Sequence, residues 1–438
     1  MIKVTKFGGS SLADAGQFKK VADIILADSN RKFVVPSAPG KRFSGDDKVT
    51  DLLYKTYALA CAGQDSSEVI EKIAQRYEDI KNELNLKTDI RAKVMRVKEK
   101  LEAGASVDYA ASRGEYLNGI LLAEYLGFEF IDAAEVIFFT EEGVLDAAKT
   151  NAVMGKRLAK CGKAVIPGFY GSKPDGSIKT FSRGGSDITG SLVARAAKAD
   201  IYENWTDVSG FLAADPRIVD NPQAIKYITY KELRELSYMG AAVLHQDAVF
   251  PVAQSGIPIN IRNTNKPEDD GTMIVSKLAD NYKSDMTITG VAGHPGYCAI
   301  TIEKSMMNSK LGIGRRFLEI FERNNILFEH LPSGVDTMTA VISVKAIEGK
   351  LDGVLSAIQD ELEPDSLEYV PNLALLAVVG HRMAKSAGTA GKIFTALGKE
   401  KINIRTIDQG SSEISIIIGV DEENLEKSIR VIHDAFKN

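Results

Sequence analysis

Cysteine is almost missing from this chain: 438 residues hold three, Cys61, Cys161 and Cys298, far apart and without a CxxC pair. An odd, sparse set of thiols makes no disulfide framework and suits a reducing compartment, so a cytoplasmic setting is expected. The five histidines form neither HExxH nor a Cys/His finger spacing, and no dedicated protein metal site is expected. The longest apolar run, around Leu373 to Val379, is far below the ~20 residues a membrane helix needs. The opening Met1-Ile2-Lys3-Val4-Thr5-Lys6 has no apolar core of the secretory kind. A basic excess is absent too, with a net charge of -5 and a pI near 5.8. Nucleic acid and anionic membranes are therefore not expected as partners, because neutralising many phosphates needs surplus cations. The 44% hydrophobic and 26% charged residues are ordinary, over a length that calls for two or three domains.

The first part of the chain alternates strands with helices. Ile2 to Phe7 reads as a strand, followed by Gly8-Gly9-Ser10-Ser11 and a helix with Phe18, Val21 and Ile24 or Ile25 on one face. Lys32 to Ser37 reads as a second strand, and helical patterns run from about Thr50 to Gly127. Further strand-like runs lie at Phe128 to Asp132, Ala164 to Phe169, Asp200 to Trp205 and Ile257 to Arg262. This alternation predicts a layered α/β domain with a mainly parallel sheet.

The remainder repeats itself. Gly312 aligns with Gly388, and the register, 76 residues apart, holds without a gap to Val344 and Val420. Phe317 then meets Ile393, Phe321 meets Leu397, Ile326 meets Ile402, and Gly334 meets Gly410. Each copy reads as βαββα, usually completed by a closing strand, which predicts two ferredoxin-like (βαββαβ) modules.

Two loops carry the chemistry. A strand running into Gly8-Gly9-Ser10-Ser11 lets backbone amides approach phosphate oxygens, with Lys6 two residues upstream. Taken alone, a Gly-Gly turn is more often a purely structural device. The second loop, Ser182-Arg183-Gly184-Gly185-Ser186-Asp187, joins a guanidinium able to grip a carboxylate bidentately to exposed amides and a carboxylate. Arg and Asp capping a helix start is its plain structural alternative. No Walker A loop and no HRD or DFG element of protein kinases is present.

In order along the chain stand Lys6-Phe7-Gly8-Gly9-Ser10-Ser11, Ser112-Arg113-Gly114-Glu115, Arg183-Gly184-Gly185-Ser186-Asp187 and Trp205-Thr206-Asp207-Val208-Ser209-Gly210, continuing to Asp215-Pro216-Arg217. This ordered set resembles the KFGG[TS]S, SxGE, RGGSD and WTDVxG…DPR elements of aspartokinases. The resemblance implies an amino-acid-kinase-like three-layer sandwich over 1–280 and ACT domains, amino-acid-binding modules, over 281–365 and 366–438. It implies phosphorylation of the β-carboxylate of L-aspartate by ATP with Mg²⁺. Lys6 and Asp187 would be catalytic, Gly8 and Gly9 holding the transferring phosphate with Ser10 beside them. Arg183 would bind the substrate α-carboxylate and Glu115 its α-amino group, with Thr50 and Ser37 nearby. Thr206, Asp207, Asp215 and Arg217 would line the nucleotide pocket. The chain departs from the family at Ala242, where a lysine is usual, at Leu212, where a tyrosine often stands, and at Pro36. Lys6 and Arg217 would then carry the phosphate charge.

Both repeats resemble ACT domains, in Pro332-Ser333-Gly334-Val335-Asp336 with Asn325, and in Gln409-Gly410-Ser411-Ser412-Glu413. The resemblance implies an effector site using Asn325, Ser333, Gly334, Asp336, Gln409, Ser411 and Glu413, and a homo-oligomer formed through these domains. Asp336 or Glu329 would recognise a distal ammonium, which favours lysine over threonine as effector. With nothing following the second repeat, no fused homoserine dehydrogenase is expected. The alternatives are a catalytically weak amino-acid sensor, favoured by Ala242, and another amino-acid-kinase relative.

Overall fold

A computed structural model of the chain describes residues 1–182, 184–240, 251–278 and 287–437. The chain divides into two units. The first comprises Met1–Phe211, Ala224–Tyr230 and Val243–Ala279; the second comprises Leu212–Gln223, Lys231–Ala242 and Asp280–Asn438. Among the described residues no helix is long and apolar enough to cross a membrane.

The strands of the first unit are β1 (Lys3–Phe7), β2 (Arg31–Pro36), β3 (Glu129–Phe130), β4 (Ala164–Val165), β5 (Tyr170–Ser172), β6 (Ile178–Thr180), β7 (Ile201–Thr206), β8 (Tyr227–Thr229), β9 (Ile259–Asn263) and β10 (Thr272–Val275). Eight of them form one sheet in the order β3-β4-β2-β1-β7-β9-β10-β8, while β5 and β6 pair as a hairpin. The large sheet is parallel except where β10 meets β9. Successive residues of a strand point to opposite faces. Phe7 and Trp205 therefore enter an apolar core built with the helices Ala15–Leu26, Val49–Cys61, Ser67–Glu83, Ile90–Glu102 and Val107–Leu126. Lys6 and Asn204, paired in register, face the helix Gly185–Ala196 on the other side. Both sheet faces are thus covered, the three-layer arrangement a parallel sheet requires. The expected strands at 128–132 and 164–169 shrink to two residues each. Pro167 has no N–H to donate, so regular pairing stops, although Ile166 and Gly168 still donate to Val34 and Pro36 carbonyls of β2.

The second unit carries β11 (Gly290–Glu303), β12 (Phe328–His330), β13 (Thr337–Ser343), β14 (Ser366–Val379), β15 (Ile404–Asp408) and β16 (Ser415–Asp421), in the order β12-β13-β11-β14-β16-β15. The two long strands are each used twice. Ala299–Glu303 of β11 pairs with the start of β14, Ser366–Val370, so β14 closes the first repeat. Leu373–Val379 of β14 pairs with β16 and also with Gly290–Pro295 of β11, which thereby closes the second repeat. Each repeat supplies βαββ and a final helix, and each borrows its fourth strand from the other. Two separate apolar cores follow, one around Phe317, Phe321 and Ile358, the other around Ile393, Leu397 and Ile432.

Candidate active site

Strands β1, β2 and β7 run parallel and end in register, Phe7 beside Pro36 and beside Trp205. The loops after them therefore gather at the carboxyl edge of the sheet, where open α/β sheets form crevices. There they enclose a cavity of about 610 Å³ lined by Gly9, Ser10, Ser37, Thr50, Glu115 and Asp207, with Lys41, Arg42 and Lys48 from the loop after β2. Glycines make this close assembly possible. A Cβ on Gly40 would lie 2.6 Å from the Gly9 carbonyl carbon, and one on Gly9 would lie 2.9 Å from the Ala38 oxygen. The Gly40 amide donates to the Gly9 carbonyl at 2.8 Å.

The first glycine loop does not lead straight into an α-helix. Ser10–Leu12 forms one 3-10 turn, and the helix starts later at Ala15, with Asp14 accepting from the Gln17 amide. The expected help from a helix N-terminus is thus blunted here by a carboxylate cap. At the second loop the reverse holds. Gly184 takes a left-handed conformation (φ 60°) and the helix Gly185–Ala196 begins at once, without a side-chain cap. Arg183 lies outside the described residues.

Lys6 is 8% exposed and its ammonium stands 2.6 Å from Oδ1 of Asp187, in the first turn of that helix. A buried ammonium needs such a partner to remain charged. Asn204 of β7 donates to the same Oδ1 at 2.8 Å, and the Tyr202 hydroxyl donates to the Asp187 carbonyl at 3.2 Å. The sequence reading missed Asn204. Its only signal was a neutral polar residue inside the strand Ile201-Tyr202-Glu203-Asn204-Trp205-Thr206.

Glu115 is 6% exposed, on the helix Val107–Leu126, and its Oε2 has no hydrogen-bond partner among the described residues. Burial pushes its carboxyl up to about 8, against the pull of the Ala38 and Glu115 backbone amides and the Arg113 charge. A cation arriving from the cavity would restore the ionised form. Arg113 itself sits against the rings of Tyr109, Tyr116 and Tyr170, with Nε donating to the Ser112 hydroxyl. Ser37 and Thr50 also line the cavity; the Ser37 carbonyl accepts from the Asn118 amide at 2.7 Å.

Gly8 donates its amide to the Trp205 carbonyl, and a Cβ there would lie 3.8 Å from the Lys6 ammonium. Thr206 ends β7, its hydroxyl donating to the exposed Asp207 carboxylate. Asp215 and Arg217 belong to the second unit, where they pair with each other, Arg217 being largely exposed. Leu212 is in that unit as well, whereas Ala242 lies outside the described residues.

Of the proposed effector residues, Ser333, Gly334 and Asp336 follow β12, and Gln409, Ser411 and Glu413 follow β15. His330 of β12 and Asp408 of β15 meet at 3.0 Å, linking the two repeats beside these loops. Asp336 accepts from the Met307 amide, and the Gly334 amide donates to Thr337. Asn325 takes a left-handed conformation (φ 51°) after the helix Ile313–Arg323. Glu329 is an acceptor for the Tyr238 hydroxyl.

A sheet with glycine loops and a lysine–aspartate pair at its carboxyl edge, joined to paired βαββα modules, defines a small-molecule kinase with a regulatory part. Residues 1–263 match the amino acid kinase family and residues 376–436 match an ACT domain. Aspartokinase 3 of Bacillus subtilis is 38% identical over 99% of this chain and 98% of its own length. The crystal structure of Clostridium acetobutylicum aspartate kinase is 55% identical, covers 100% of both chains and superposes with a TM-score of 0.90. Escherichia coli aspartokinase III has been solved with aspartate and ADP (26% identity, 99% of both chains, TM-score 0.75) and with lysine and aspartate (27%, 100% of both, 0.73). The chain belongs to the aspartokinases of the amino acid kinase family, phosphotransferases that act on the aspartate carboxyl group.

Proposed function

We propose that the cavity at the carboxyl edge of the first unit binds L-aspartate and ATP and transfers the γ-phosphoryl group to the aspartate β-carboxylate. The observation that carries this reading is the pairing of buried Lys6 with Asp187, beside Gly8. A carboxylate with a pKa near 4 is already an ionised nucleophile, so no general base is required. Catalysis then rests on alignment and charge neutralisation. Lys6, Gly8, Gly9 and Ser10 hold the transferring phosphate, and Asp187 orients the lysine. Glu115 receives the substrate ammonium, Arg183 its α-carboxylate, and Thr50 and Ser37 orient the rest. Thr206 and Asp207 serve the nucleotide. Mg²⁺ would come with ATP, held mainly by phosphates and water with Asp187 and Asp207 as its protein carboxylates, and would supply charge neutralisation.

The second unit senses an amino acid, with lysine the favoured effector, and joins copies of the chain into a homo-oligomer. The lysine complex of the E. coli enzyme supports the first of these assignments. The product would be the first intermediate toward lysine, threonine and methionine. The test is ATP-dependent aspartyl phosphate formation, trapped as its hydroxamate, with and without lysine or threonine. Turnover on aspartate and not glutamate, lost in Lys6→Met and lowered by lysine, is expected. Full turnover in Lys6→Met would overturn the site, and insensitivity to both amino acids would overturn the regulatory reading.

A further inference from the structure

The helix Ser67–Glu83 supplies none of the residues lining the cavity, yet one of its side chains meets two of the chain segments that build it. Arg76 is 5% exposed on this otherwise apolar helix face, between Ile73 and Ile80. Its Nε and Nη2 donate to the Ala13 carbonyl at 3.4 and 3.3 Å. Nη2 also donates to the Gly40 carbonyl. Nη1 donates to Oδ2 of Asp46 at 2.9 Å and to the Asp47 carbonyl at 3.3 Å. Every one of the five hydrogens a guanidinium offers has a receiver. Those receivers lie on two separate segments: Ala13, just after Gly8-Gly9-Ser10-Ser11, and Gly40 to Asp47, the loop that brings Lys41 and Arg42 to the cavity. Asp46 is gripped from the far side by Arg42, at 2.9 Å from both Nε and Nη2. The next residue of the helix braces a third wall, since the Tyr77 hydroxyl donates to the Gly114 carbonyl at 2.7 Å, one residue before Glu115.

We propose that Arg76 is a positioning residue for phosphoryl transfer: its buried guanidinium locks the glycine loop after β1 to the loop after β2, fixing the cavity's phosphate-facing wall. A purely stabilising arginine has no need to reach two loops, and burying a guanidinium is costly unless its geometry is used in full. Lysine cannot replace it, having three donors on a point charge where a planar fork of five is needed. A loop displaced by one ångström costs transfer on the order of 10²-fold in rate, far more than the loss of one surface contact.

The assignment rests on the reading of the cavity as the transfer site, which Lys6→Met tests separately. Arg76→Lys and Arg76→Ala would be compared with Ile80→Ala, a destabilising change in the same helix that leaves both loops untouched. Two quantities are read: kcat and KM for both substrates, per folded enzyme, and the rate of trypsin cleavage after Lys41 and Arg42. Both Arg76 variants should lose roughly 10- to 100-fold in kcat/KM for ATP and be cut faster at the loop, with Ile80→Ala near wild type in both. Millimolar guanidinium should restore part of the activity of Arg76→Ala and none to Ile80→Ala. Unchanged loop cleavage in Arg76→Lys would overturn the clamp. Faster cleavage with unaltered kcat and KM would overturn its role in transfer.

Discussion

Lys6 and Asn204, side by side on parallel strands, converge on one oxygen of Asp187, at 2.6 and 2.8 Å. The lysine ammonium is thereby held at a fixed point beside the glycine loop. Asn204 is neutral, so its removal should loosen Asp187 without changing the charge of the site. Asn204→Ala should lower kcat by about 10-fold, the ~1.4 kcal/mol of one hydrogen bond to a charged group. The KM for aspartate should barely move. Asp187→Ala should cost more, and adding Asn204→Ala to it should cost nothing further, because both act through one carboxylate. Additive losses in steady-state kcat would show that Asn204 acts elsewhere.

Glu115 gives the site a pH dependence. In the free enzyme burial holds its carboxyl near 8, so at neutral pH it is largely protonated. With Glu115 as the proposed receiver of the aspartate ammonium, the ionised form is favoured on binding, which should release a proton. The KM for aspartate should therefore fall as pH rises from about 6 to 8.5, and Glu115→Gln should have a higher KM with no such slope. Stability moves the other way. Between 4.5 and about 8 the folded state holds a proton that the unfolded state has lost, so stability falls as pH rises through this window. Glu115→Gln should raise Tm at about pH 8 by the equivalent of a few kcal/mol, on the order of what such a shift implies, and leave it unchanged near pH 4. A Tm difference independent of pH would count against this account.

How much of this was readable from residues alone varies with the range of the interaction. The repeat was legible because Gly312 and Gly388 both begin helices in the left-handed region, and Phe317, Phe321, Ile393 and Leu397 fill equivalent cores. The glycine loops were legible because backbone contact leaves no room for a side chain, as at Gly9 and Gly40. The exchange of closing strands between repeats was not, since Gly290–Pro295 and Leu373–Val379 pair across a long stretch of chain with no local signature. Arg76 and Asn204 escaped for a related reason. Each looks like one more polar residue of its element, among those of Ser67–Glu83 or beside Glu203 in β7, until its distant receivers are known.

The glycines separate into tolerant and intolerant sites, and two substitutions test the difference. Gly40→Ala would drive a Cβ to within 2.8 Å of three backbone atoms of Gly9 and Ser10, which cannot yield without opening the glycine loop after β1. It should lower activity at least about 10-fold and destabilise the protein by about 1–3 kcal/mol, as overpacking does. Gly353, exposed in the helix Leu351–Leu362, has nothing within 4 Å of the point where an added methyl would sit. Gly353→Ala should raise stability by about 0.5–1 kcal/mol with kinetics unchanged. Urea unfolding and steady-state assays check both, and equal behaviour of the two variants would refute the distinction.

Under the proposed lysine sensing, recognition turns on which carboxylate gains more from an incoming ammonium, since both already accept a hydrogen bond, Glu329 from the Tyr238 hydroxyl. Asp336 already accepts from the Met307 amide at 3.1 Å, a duty its amide analogue performs equally well. Glu329 is half-buried, and that burial raises its carboxyl above the usual range against the opposing pull of His330. An incoming ammonium would gain most there, where solvent competes least. Glu329→Gln should therefore raise the lysine concentration for half-inhibition by about 10-fold or more, the worth of one desolvated charge pair at ~1.4 kcal/mol, while Asp336→Asn shifts it by less than about 3-fold on the same reasoning. Inhibition curves at fixed aspartate and ATP measure both. Loss of lysine sensitivity in Asp336→Asn with Glu329→Gln unaffected would move the ammonium site to the loop after β12.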